Sequence, residues 1–95
     1  MKVVVKKAGK DPEVIEIEDK LEVYQNIVGG YIEVFPFHGS ILCVCNEEGK
    51  LKGLQPNFLF RNDVICGDVI FISASGEDFV GLNDLQISIL NILFK

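Results

Sequence analysis

Apolar and polar positions change their spacing several times along this chain, and each change marks an element. Val3-Val4-Val5, a break at Gly9-Lys10-Asp11-Pro12, and the alternating Val14-Ile15-Glu16-Ile17-Glu18 predict a β-hairpin. Asp19 then opens a helix. With Glu22 three residues on it has the capping-box pattern, and Leu21, Tyr24, Ile27 and Val28 recur at helical spacing along one face. Gly29 ends that helix, because a glycine just past the last periodic residue takes the left-handed conformation at no steric cost. Gly30 frees the backbone to turn into the next strand.

Tyr31 to Phe35 and Ile41 to Cys45 are rich in β-branched and aromatic residues, which predicts paired antiparallel strands around the Pro36-Phe37-His38-Gly39 turn. Asn46 and Gly49 supply the side-chain bonding and backbone freedom of the following turn. Over 51–63, Leu54, Phe58, Leu59 and Phe60 call for burial, but Gly53, Pro56, Asn57 and Asn62 interrupt any period. The expectation there is a loop with one helical turn. Val64 to Ile72 reads as a single strand, bulged or bent at Gly67, and Ser75 to Asp78 as a polar turn. Asn83 and Gln86 make a second capping pattern before the apolar run Leu85 to Phe94, a terminal helix with Ser88, Asn91 and Lys95 in a narrow polar arc. A strand with Leu85, Ile87 and Ile89 alternating is the other reading of that run.

These elements predict an α+β domain over residues 1–95, a mainly antiparallel sheet of about five strands with two helices, Asp19–Val28 and Asn83–Phe94, covering one of its faces. Strand order does not follow from the pattern. The terminal helix is too apolar all round for a monomer's surface, so a homo-oligomer is expected, with an interface on the Leu90 and Leu93 face.

Length and charge narrow the function. A 95-residue chain buries roughly 60–68% of its unfolded surface; a ligand site is then shallow or shared between subunits. Nine Lys and Arg against fourteen Asp and Glu, a net charge of -5, argue against DNA or RNA as partner, since phosphate backbones are held by clustered cations. No apolar stretch fits a signal peptide or a membrane span, which predicts a cytoplasmic protein without a membrane partner. Cys43, Cys45 and Cys66 are odd in number and lie in apolar runs, so free thiols are expected.

Sites for chemistry are scarce. Cys43 and Cys45 share one face of a strand, but paired knuckle spacing for zinc is missing, and free Cys in an apolar strand packs as a small hydrophobe. His38 is the single histidine, with no arrangement of nucleophile and orienting acid around it. Neither phosphate-loop pattern occurs. No catalytic, metal or cofactor-binding residue is therefore assigned. Small and amide residues in the turns are more than tight turns alone require. Asn both donates and accepts, and glycines let backbone N–H groups approach a ligand.

Ile27-Val28-Gly29-Gly30-Tyr31-Ile32-Glu33, Asn46-Glu47-Glu48-Gly49-Lys50-Leu51, Leu54-Gln55-Pro56-Asn57, Asp68-Val69-Ile70-Phe71 and Gly76-Glu77-Asp78-Phe79 together resemble a small family, domain of unknown function 3846, found on phages and mobile elements of Gram-positive bacteria. The resemblance runs over nearly the whole chain and brings no catalytic residues. It implies a non-enzymatic phage-type protein that counters a host defence by stoichiometric binding. Two expectations follow. One is a sponge that sequesters a nucleotide-derived immune signal in a pocket between subunits, with Gly30, Tyr31, Asn46, Lys50, Asn57 and Arg61 as ligand-binding residues and Lys52 as a further phosphate donor. The other is a protein-interaction module that blocks a host defence or regulatory protein.

Overall fold

The computed structural model describes residues 1–95. Its elements run β1 (Lys2–Lys6), β2 (Glu13–Glu16), α1 (Leu21–Val28), β3 (Ile32–His38), β4 (Ile41–Asn46), β5 (Pro56–Phe60), β6 (Asp63–Cys66), β7 (Val69–Ser75), β8 (Asp78–Val80) and α2 (Asp84–Leu93). The main sheet has the order β2-β1-β7-β4-β3, and β8 also pairs with β7. Every pairing is antiparallel, and β5 and β6 form a separate two-stranded hairpin. This is the α+β architecture expected from the sequence. No helix is long and apolar enough to cross a membrane.

β7 lies at the centre because Val69-Ile70-Phe71-Ile72 is apolar on both sides. Such a run fits only a strand covered on both faces, and all four residues are fully buried. Alternation sorts the neighbouring side chains into two cores. Val3, Val5, Val44, Ile70 and Ile72 face α1, where Tyr24 and Val28 meet them. Val4, Ile41, Cys43, Phe71 and Leu90 form the other core, which α2 and the β5–β6 hairpin cover. The helices thus sit on opposite faces of the sheet, not on one. A sheet buried on both sides accounts for the continuous apolar strands β1, β4 and β7.

Three further expectations need correcting. The segment 51–63 holds strand β5 instead of a helical turn, and its hairpin with β6 turns at Arg61 and Asn62, both at positive φ (49° and 64°). Positive φ at both central residues is what the two-residue hairpin turn requires. The single strand expected over Val64 to Ile72 is cut at Gly67, at φ 90°, where the chain leaves the hairpin and enters the central strand. The first helix begins later than Asp19. Lys20 is its N-cap, without a side-chain cap bond, and Asp19 instead accepts a 2.5 Å hydrogen bond from the Tyr24 hydroxyl. Burial, then that carboxylate, hold the Tyr24 phenol protonated far above its ordinary range.

Gly29 closes α1 in the left-handed conformation, at φ 81°. Asn83 and Gln86 form a complete capping box on α2, and the Gln86 amide also donates to Ser40 Oγ and Ser73 Oγ at 2.9 Å each. One side chain therefore starts the helix and fastens it to the sheet. Leu90 is fully buried in the core, so the Leu90 face of α2 holds this fold together and is not available to a second subunit.

Candidate functional site

At one end of the sheet, β3, β4 and the turn after β4 face the β5–β6 hairpin across an open groove of about 570 Å³. Phe35 and Phe60, with ring centres 5.1 Å apart, form an apolar floor with Ile65. Phe60 comes to this place because Phe58 and Phe60 point inward from β5 while Leu59 points out. Cys45 and Cys66 line the groove, and the carboxylates of Glu33, Glu47, Glu48 and Asp63 surround it, against the cations Lys50 and Arg61. Lys50 and Asp63 form an ion pair across the opening. That bond holds the ammonium above and the carboxyl below their usual ranges, and Arg61 lies over the Phe60 ring at 5.2 Å.

The turn after β4 is held close to the hairpin. A Cβ placed on Gly49 would lie 2.6 Å from the Cys66 carbonyl oxygen, closer than any side chain allows. Glycine at this position lets the turn that carries Glu47, Glu48 and Lys50 approach β6, and so sets the groove's width.

The six residues expected to bind a ligand do not converge. Asn46, Lys50 and Arg61 line the groove. Gly30 and Tyr31 line a second, shallower concavity of about 340 Å³ at the carboxyl end of α1, with Gln25, Asn26, Gly29 and Lys52. Lys52 is therefore parted from Lys50 and Arg61. Asn57 is in neither place. Its amide donates to the Lys6 and Gly67 carbonyls at 2.8 Å each, and its oxygen accepts from the Lys6 ammonium at 3.0 Å. Asn46 is likewise engaged, donating to Val28 O and accepting from the Glu48 N–H. Both amides join elements of the fold. Sequence reasoning passed over Glu33, Phe35, Phe60 and Cys66, since no local signal shows that an edge strand and a distant hairpin face each other.

Burial, with Glu33 beside it, pushes the Cys45 thiol up to about 11, and burial raises Cys43 further, so neither is a ready nucleophile. All three cysteines are free, and Cys66 is the least buried. In native protein at pH 8, where a thiol of pKa about 11 is ionised roughly one part in a thousand, a disulfide reagent should titrate one thiol quickly. Cys43, wholly buried, should react only at the rate of unfolding, and Cys45, on the groove wall, far more slowly than Cys66. Rapid reaction of all three without denaturant would contradict this burial. His38 is exposed at the end of β3, and no group of three or more His, Cys, Asp or Glu side chains is arranged to hold a metal ion.

No curated protein and no solved structure matches this chain. A family model does match, over residues 1–95, and the chain belongs to that family, described as a domain of unknown function (DUF3846).

Proposed function

We propose that this protein is a non-enzymatic binding module that takes a small molecule in the groove between β3, β4 and the β5–β6 hairpin. The observation that carries this is the groove itself: its volume of about 570 Å³ falls within the roughly 300–1,000 Å³ of small-molecule sites, and it pairs an aromatic floor with polar groups on the rim. In the phage context that the family resemblance implies, such a module is a sponge, and a nucleotide-derived immune signal is a natural cargo. A nucleobase would rest on the Phe35 and Phe60 floor, with its phosphate toward Arg61 and Lys50. The surrounding carboxylates favour a ligand of low negative charge, because Lys50 is already neutralised by Asp63 and repulsion from Glu33, Glu47 and Glu48 disfavours multiple phosphates.

The test is native mass spectrometry and thermal shift against nucleosides, mononucleotides and cyclic dinucleotides, with wild type beside Glu33→Trp. Glu33 is exposed on the edge strand, so the larger side chain narrows the groove at a stability cost within about 0.5–1 kcal/mol. At least tenfold weaker binding by the variant is expected. Unchanged affinity in a folded variant, or no bound species from any class, would end this reading. The second reading, a module that blocks a host protein, is favoured by Leu51, 88% exposed on the groove's rim. It predicts near-stoichiometric capture of one host protein, lost on Leu51→Glu.

A further inference from the structure

Glu33 and Phe35 stand two residues apart on β3, and a strand's period of two sets them on one face. The register agrees: Glu33 lies across from Cys45 and Phe35 across from Cys43, two residues of the core on the hairpin side of the sheet. The aromatic floor of the groove therefore has a carboxylate held beside it by a strand, whereas Glu47 and Glu48 come from a turn. The three ion pairs of the chain take Glu16, Glu18 and Asp63. Glu33 is exposed and belongs to none of them, so both its oxygens are open to a ligand lying on Phe35.

An ionised carboxylate only accepts hydrogen bonds, through two oxygens side by side. A planar group stacked on the floor meets it edge on, and satisfies both oxygens only with two adjacent N–H donors. Among the nucleobases guanine presents that edge, in its ring N1–H and its 2-amino group. Adenine and cytosine each set one amino donor next to a ring nitrogen lone pair, and uracil sets its single N–H between two carbonyls. With these bases a lone pair faces the carboxylate and repels it. Across the groove, Arg61 at the hairpin turn lies over the Phe60 ring, a planar cation with N–H donors that suit a phosphate. Acceptor and donor thus stand on opposite walls, as the two ends of a nucleotide require.

We propose that Glu33 makes the groove selective for guanine, accepting from N1–H and the 2-amino group of a base stacked on Phe35, so that the ligand class is a guanine nucleotide of low charge; this rests on the groove being the ligand site.

Isothermal titration calorimetry with the 3′,5′-cyclic monophosphates of guanosine, inosine, adenosine, cytidine and uridine tests this with probes of one negative charge each. Wild type should bind cyclic GMP at least about tenfold more tightly than the adenine, cytosine and uracil compounds, the discrimination that a bidentate contact supplies. Cyclic IMP, which lacks the 2-amino group, should fall between. Glu33→Gln should weaken cyclic GMP at least about fivefold and leave cyclic AMP bound as tightly or more tightly. The signs separate hydrogen bonding from bulk electrostatics, because removal of a negative charge alone would tighten all five anions. Binding without a guanine preference, or a preference that survives Glu33→Gln, would overturn the assignment and leave the groove as the ligand site. Cyclic IMP bound as tightly as cyclic GMP would overturn the two-bond contact. No binding of any of the five would overturn the inference, and the groove reading falls with it only if nucleosides and cyclic dinucleotides also fail to bind.

Discussion

Phe71→Ala should lower the free energy of unfolding by about 3–5 kcal/mol, the cost of removing a large buried aromatic and leaving a cavity. Phe71 lies fully buried on the central strand, and its ring centre is 4.8 Å from Phe37, 5.4 Å from Phe94 and 5.9 Å from Phe58. These partners come from the edge strand, the terminal helix and the hairpin. Phe71 is therefore the point at which the three pieces of the second core meet, and the site cannot collapse without moving all of them. Since a domain of this size is stable by only about 5–15 kcal/mol, the variant should lose a large share of that margin. Urea denaturation followed by circular dichroism measures it. Phe71→Leu, which keeps most of the volume, should recover more than half of the loss. A loss below about 1 kcal/mol for the alanine variant would show that the aromatic cluster is not packed as described.

The second large effect falls on Asn57. Asn57→Ala should cost about 3 kcal/mol, because it orphans two backbone carbonyls and removes the only side-chain oxygen that accepts from the Lys6 ammonium. Lys6 is 8% exposed, and its other neighbours are the Lys7 carbonyl and the ring of Phe94. A charge so placed depends on the few acceptors it has. Lys6→Met on the Asn57→Ala background should therefore recover part of the loss, and the double-mutant cycle should show coupling of at least about 1 kcal/mol. If Asn57 served a ligand instead of the fold, the alanine variant would unfold at the wild-type urea concentration and differ only in binding. Stability and binding measured on the same sample separate the two roles.

Asn57 also shows where sequence reading loses its hold. An Asn among Gly and Pro residues has the composition of a binding loop. Whether its amide is free for a ligand depends on whether another strand's carbonyls lie within reach, and here those of Lys6 and Gly67 do. Asn46 followed the same course, consumed by the end of α1. Phe60 shows the opposite error. It lay in a segment with no period, and the turn that makes it a strand residue has Arg61 and Asn62 at its centre, not the Asn-Gly or Asp-Gly pair that marks such turns. The groove residues were hidden because Glu33 and Phe35 lie far along the chain from Cys66 and Phe60.

What the sequence determined by itself is what short-range physics controls. Gly29 ends the first helix because only local backbone strain is at issue, and Asn83 with Gln86 starts the second because a capping box closes within four residues. The apolar alternation marked most of the strands and the α+β class, and the three cysteines are free, as their odd number and apolar surroundings suggested. Tertiary structure alone decided that the helices lie on opposite faces, that β7 is central, that 56–66 forms a hairpin laid against the sheet, and that Lys50 and Arg61 part from Gly30, Tyr31 and Asn57 while the Asn46 amide lies against Gly30. Each of these depends on which apolar surfaces find one another across long stretches of chain. A strand's period of two tells which residues share a face, but a sheet buried on both sides is apolar on both, and the period then cannot say which helix covers which.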